Sequence, residues 1–96
     1  INGTDSVESV TLKSGKTLKT DGVFIYVGQQ PTTNFVSDLG ITNDAGWICV
    51  NSHFQTKIPS IFAAGDCIEK DIRQIVTATG DGANAAQYIY QYLLEN

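Results

Sequence analysis

The chain has 96 residues, 42% of them hydrophobic and 17% charged, with a net charge of −4, which suits one small soluble domain and is too little for two independent ones. Its six Lys and Arg form no basic run, which argues against a nucleic-acid partner, because neutralising phosphates takes clustered cations. No apolar stretch approaches the roughly 20 residues of a membrane span; an N-terminus without Met or signal-peptide layout, and no Met elsewhere, suggest an excised segment, with a processed protein as the alternative.

Val7 to Leu12 reads as a strand from its β-branched content and rough alternation. Lys13-Ser14-Gly15-Lys16 is a hairpin turn, with Gly15 free to take positive φ, and Thr17 to Thr20 returns as the second strand. After Asp21-Gly22, Val23-Phe24-Ile25-Tyr26-Val27 is apolar at every position. That predicts a strand covered on both faces, as in a sheet with helices around it. Gly28 ends it, and Gln29-Gln30-Pro31-Thr32-Thr33 is a stiff loop because Pro31 holds Gln30 extended.

A short helix is expected from Asn34 to Leu39, with Phe35, Val36 and Leu39 on one side and Gly40 as its stop. Asn43 to Gly46 is a turn, Trp47 to Val50 a strand, and Ser52 to Thr56 a loop. Pro59 precedes a small-residue strand, Ile61 to Ala64, that stops at Gly65-Asp66. The last element begins between Arg73 and Gly82 and runs to about Leu94 as a helix. Ala83, Ala86, Tyr90 and Leu93, with Ile89 beside them, are its expected packing stripe.

The chemistry concentrates where the strand Ile61–Ala64 ends. An apolar strand stopping at Gly-Asp brings a carboxylate to the C-terminal edge of an α/β sheet, where such sheets bind nucleotides. Asp66 is the strongest candidate, as an acceptor for sugar or polyol hydroxyls; the plainer reading is a turn aspartate capping local N–H groups. The cluster Arg73 to Ala83 opens a helix whose first N–H groups suit an electron-rich group. Arg73 reads either as a partner for an anion or as a surface arginine. Gly80-Asp81-Gly82 matches neither a pyrophosphate loop nor a P-loop.

His53 lies in a polar loop without the neighbours of a triad, and reads as a surface histidine or one behind a site. Trp47 and Phe54 read as core. Cys49 and Cys67 are not a Cys-x-x-Cys pair, and with one distant His they make a poor zinc set, so no metal site is expected. They read as two buried reduced thiols, with a disulfide or a reactive Cys67 as alternatives. No nucleophile or paired-carboxylate site emerges, so no catalytic residue is assigned.

Three stretches carry a resemblance: Gly22 to Pro31, Thr56 to Asp66, and Arg73-Gln74-Ile75-Val76-Thr77-Ala78 running into Gly80-Asp81-Gly82-Ala83. In order and spacing, over essentially the whole chain, they resemble the C-terminal portion of bacterial thioredoxin reductase, in the pyridine-nucleotide disulfide oxidoreductase superfamily. The Arg-Gln followed by the Gly-x-Gly helix separates this type from lipoamide dehydrogenase-like relatives. Ferredoxin-dependent thioredoxin reductases and the flavoprotein of alkyl hydroperoxide reductase are harder to separate.

The resemblance implies an α/β fragment of a two-domain FAD/NAD(P)-binding fold. Residues 1–28 would be the end of the NAD(P)H-binding domain, a β-meander and its last strand. Residues 29–33 would be the interdomain connection, and 34–96 the closing strands and C-terminal helix of the FAD-binding domain. It implies cofactor-binding roles for Gly65, Asp66, Arg73, Gln74 and Ile75, with Asp66 on the ribityl hydroxyls of FAD. Gln74 and Ile75 would offer their backbone to the pyrimidine edge of the flavin. The parent enzyme would be a cytoplasmic homodimer passing electrons from NADPH through FAD to a redox dithiol and thioredoxin. The two pyrophosphate loops and the dithiol are not in these residues, so the segment alone is not expected to be active. The rival reading is a non-catalytic module whose apolar strands pair with another chain.

Overall fold

The Lys13–Lys16 turn sets the first element. The computed structural model describes residues 1–96, and in it β1 (Ser9–Thr11) pairs antiparallel with β2 (Thr17–Lys19) in the register Val10 to Leu18. Gly15 takes φ +85° and its N–H donates to the Leu12 carbonyl at 2.9 Å. Asn2 adds a single bridge on the far edge of β1, opposite Ser9. The expected meander is therefore a hairpin with one residue of a third strand.

Val23 to Val27 departs from expectation. It forms no strand, and Phe24 to Val27 are exposed, Val27 at 92%. A strand apolar on both faces needs neighbours on both edges and a layer on each side, and no other part of this chain packs there. The result is an elongated molecule of 63 × 27 × 24 Å with a radius of gyration of 19.9 Å, against about 12–13 Å for a compact chain of this length.

Thr33 anchors the chain again. It is buried, and its hydroxyl donates to the Gly46 carbonyl at 2.6 Å. Asn34–Leu39 follows as a 3-10 helix stopped by Gly40 at φ +64°. Three residues per turn put Val36 and Leu39 on one ridge. Val36 packs on the core, whereas Phe35 turns out to solvent, contrary to the shared face expected of it.

Ile41, Ile48 and Ile68 form the core, with Val50, Phe54 and Ile61 among those packed against it. The expected strand Trp47–Val50 is reduced to one residue, Ile48, bridged antiparallel to Thr42 and parallel to Ile68. Ile48 N–H donates to the Cys67 carbonyl, and Glu69 N–H returns to the Ile48 carbonyl, each at 2.9 Å. Likewise the expected strand Ile61–Ala64 makes one bridge, Phe62 to Gln55. Phe54, between these segments, holds φ +60°. Asn51 fixes that turn by accepting the His53 and Gln55 N–H groups on its side-chain oxygen.

α1 runs Ile75–Glu95. Its inner stripe is Ala78, Asp81, Ala85, Tyr88 and Tyr92, all buried or half-buried, at the alternating three- and four-residue spacing of one helix face. Tyr88 stacks on His53 with centroids 4.3 Å apart, and Tyr92 meets Phe62 edge-on at 5.6 Å. The expected stripe of Ala83, Ala86, Tyr90 and Leu93 is exposed instead, although Ile89 is half-buried. This helix carries apolar residues round most of its circumference, so periodicity alone does not choose the inner face.

Candidate functional site

The segment leaving Phe62 turns sharply at Gly65, which is buried at φ +86°. A side chain is rarely stable in that conformation, so Gly is required for the turn itself. The turn leaves Asp66 exposed, its carboxylate free of any hydrogen bond within the chain, and swings Ile68 back into the core.

Arg73 holds this turn from above. Its Nε donates to the Asp66 carbonyl at 3.1 Å and its Nη2 to the Ile68 carbonyl at 3.0 Å. The guanidinium carbon lies over Trp47, 3.4 Å from the ring centroid, a favourable placement of a cation on an aromatic face. Trp47 therefore serves as a platform for Arg73 rather than as buried core. Two of the Arg73 donors thus bind the chain's own carbonyls.

A recess of about 310 Å³ opens here, between the connector residues Gln29–Thr32 and Trp47, Asp66, Cys67 and Arg73. It brings two of the five expected residues, Asp66 and Arg73, to one surface. Gly65 lies behind Asp66 as the buried turn. Gln74 and Ile75 do not line the recess; they follow Arg73 as the N-cap and first residue of α1, and Ile75 is 88% exposed. Gln74 N–H donates to Thr77 Oγ1 at 3.1 Å, which fixes the start of the helix. The Gln74 side chain takes the Thr77 N–H in return, which leaves the Ile75 and Val76 N–H groups without a carbonyl one turn earlier, donors where Asp66 offers an acceptor.

Sequence reasoning missed Asp81. Its Oδ2 accepts the Gly65 N–H at 3.2 Å and pairs with Lys70 Nζ. The available signal was its place in the stripe of small residues with Ala78 and Ala85, where a carboxylate must face a partner. The flanking Gly80 and Gly82 are open, since a Cβ on either would meet nothing within 4 Å.

Cys49 and Cys67 are free and half-buried. The Cys49 thiol lies 3.5 Å from Glu69 Oε2. Burial, then the hydrogen bond to Glu69 and its negative charge, push its pKa above the ordinary 9.0. Cys67 donates to the Ala64 carbonyl at 3.4 Å and borders the recess. His53 is exposed on Tyr88, a surface histidine. No helix is long and apolar enough to cross a membrane.

Comparison with known proteins places these features. The family model described as pyridine nucleotide-disulphide oxidoreductase matches residues 1–82. Thioredoxin reductase of Bacillus subtilis is 52% identical over 89 residues, covering 93% of this chain and 28% of that protein. Among solved structures, thioredoxin reductase from Streptococcus pyogenes matches with a TM-score of 0.79 and 48% identity, over 100% of this chain and 33% of its own. The Lactococcus lactis thioredoxin reductase, in the FR conformation, gives a TM-score of 0.74 and 53% identity over 88% of this chain and 28% of its own. The chain thus spans about a third or less of the relatives it matches, and its fold is that of the corresponding part of them. With a family model covering most of its length, the chain belongs to the pyridine nucleotide-disulphide oxidoreductase family.

Proposed function

We propose that these residues are the C-terminal part of a flavoprotein disulfide reductase of the thioredoxin reductase type. The parent would be a cytoplasmic enzyme that passes electrons from NADPH through FAD to a redox dithiol and thioredoxin. Residues 1–28 would close the NAD(P)H-binding domain, 29–33 connect the domains, and 34–96 complete the FAD-binding domain. The observation that carries this reading is the free Asp66 carboxylate at the rim of the recess, next to the start of α1.

Those residues fit FAD by their chemistry. An unpaired carboxylate suits the ribityl hydroxyls, and the first N–H groups of a helix, at its positive end, suit the electron-rich pyrimidine edge. FAD, when bound, supplies the electron transfer between nicotinamide and dithiol. Asp66 accepts hydrogen bonds and orients; Ile75 presents its backbone N–H, while Gln74, whose own N–H is held by Thr77 Oγ1, caps the helix there; Gly65 permits the turn. Arg73 secures the Asp66 and Ile68 carbonyls, so its contribution to binding runs mainly through the shape of the turn. In the complete flavoprotein, Asp66→Ala should lower FAD affinity about tenfold, the loss of one to two good hydrogen bonds, read by flavin fluorescence on titration. Unchanged affinity would refute the assignment of Asp66.

One observation favours the second reading, a module that oligomerises. Phe24 and Tyr26 are stacked on each other, 6.3 Å apart and nearly parallel, while exposed. An exposed apolar run with unpaired backbone is a template for another strand. Sedimentation of the complete protein that contains this segment, at several concentrations with flavin measured by absorbance, separates the two, since self-association of a flavin-free protein favours the module.

A further inference from the structure

The ion pair of Lys70 and Asp81 has no part in the proposed flavin contacts, yet both side chains are largely covered, at 15% and 18% exposure. A cation and an anion this enclosed are held in place only where geometry and hydrogen bonds compensate their desolvation. The compensation here is specific. The same oxygen, Asp81 Oδ2, takes the Lys70 ammonium and the N–H of Gly65. Gly65 is the buried residue whose left-handed φ of +86° aims Asp66 outward. Ala78, one turn before Asp81 on the same helix stripe, stands where a Gly65 Cβ would meet it at 3.7 Å. One carboxylate therefore ties the turn, the Lys70 loop and α1 together.

We propose that Asp81 is a positioning residue for the cofactor site: through the Gly65 N–H it sets the distance between the Asp66 carboxylate and the N-terminal turn of α1. This rests on the reading of Asp66 and the α1 start as flavin contacts. A flavin touching both needs that spacing fixed before it arrives, because a turn free to move must be ordered on binding. Arg73 fixes the far side of the turn through the Asp66 and Ile68 carbonyls; Asp81 fixes the near side. Lys70 neutralises the carboxylate, so no net charge is added close to where flavin would sit.

The test uses the complete flavoprotein that contains this segment. Asp81→Ala should weaken FAD binding about tenfold, since it leaves a buried N–H unpaired and the turn loose. Asp81→Asn keeps an acceptor for Gly65 and should restore affinity to within about threefold of wild type. Hydrogen exchange of residues 64–68 in the flavin-free protein should accelerate in Asp81→Ala and not in Asp81→Asn, a readout independent of activity. Where Asp81→Ala does not fold, Asp81→Glu serves, because it keeps the charge for Lys70 and shifts the acceptor out of register with Gly65; it should also weaken FAD binding. Asp66→Ala separates the two readings. Weaker binding in Asp66→Ala with wild-type affinity in Asp81→Ala overturns the positioning role alone. Wild-type affinity in both overturns both. Weaker binding only in Asp81→Ala overturns both the Asp66 contact and the role of Asp81 in spacing it. Equal losses in Asp81→Asn and Asp81→Ala overturn the role of the Gly65 bond.

Discussion

Arg73 is the residue whose removal should be felt most directly in the turn. Arg73→Met deletes the two hydrogen bonds to the Asp66 and Ile68 carbonyls and the cation placed over Trp47. A charged donor to a carbonyl contributes about 1.5–3 kcal/mol when enclosed. Arg73 is only half-buried, so water replaces part of each, and about 1 kcal/mol apiece is the appropriate scale. The aromatic contact adds about 0.5 kcal/mol at a partly exposed site, and the methionine recovers some of it by packing. The net expectation is a loss of about 2 kcal/mol in the local stability of residues 66–69, or roughly 30-fold faster opening. Arg73→Lys keeps the charge but lacks the planar fork that reaches both carbonyls. It should recover about half the free energy, leaving opening about fivefold faster. Hydrogen exchange read by mass spectrometry is the assay, because the Ile68 and Glu69 N–H groups are bonded to the Gly65 and Ile48 carbonyls and report the turn itself. Exchange in Arg73→Met within twofold of wild type would show that the guanidinium does not hold the turn. Equal acceleration in both variants would show that fork geometry is irrelevant.

Gly65→Ala should cost about 1–2 kcal/mol, the penalty of a side chain in the left-handed region; the new Cβ would lie 3.7 Å from Ala78 Cβ, ordinary contact, so a loss above 4 kcal/mol by denaturant titration would mean a clash that the structure does not contain. Ile48→Ala removes the residue that bridges both neighbours in a three-isoleucine core and should destabilise by about 3 kcal/mol; a change under 1 kcal/mol would show that this core does not hold the fold. Glu69→Gln removes the carboxylate that helps keep the Cys49 thiol protonated, so Cys49 should react faster with iodoacetamide at pH 8, and an unchanged rate would show that burial alone governs it. Because the folded Cys49 pKa lies above the unfolded 9.0, its contribution to stability is full below pH 9 and declines as pH rises past it; a denaturation midpoint that climbs between pH 9 and 10 in a variant lacking other thiols would contradict this.

Much of the site was legible because its signals are local. Gly15, Gly40 and Gly65 mark turns that the backbone takes at positive φ, and a hairpin needs little beyond its own turn and alternation. The end of the small-residue segment at Asp66 and the helix start near Arg73 follow from neighbours in the chain. Asp81 was not legible, because its meaning depends on Gly65 and Lys70, sixteen and eleven residues away. Nor was Arg73's inward use: nothing in the order Arg-Gln-Ile shows that Trp47 lies beneath it. The expected strands at Trp47–Val50 and Ile61–Ala64 shrank to single bridges because strand length depends on the partner's length as much as on propensity.

The residue order by itself determined where the chain turns, which segments are apolar, that α1 spans the C-terminal stretch, and that a carboxylate and a helix start come within a few residues of each other. Only the tertiary structure decided which face of α1 packs inward, that Asp81 fastens Gly65, and that Val23–Val27 stays uncovered. The reason is physical: φ preferences and periodicity act over a few residues, whereas burial depends on which surfaces meet. For a helix apolar on most sides and a strand apolar on both faces, many surfaces would serve, and only the packed neighbours choose among them.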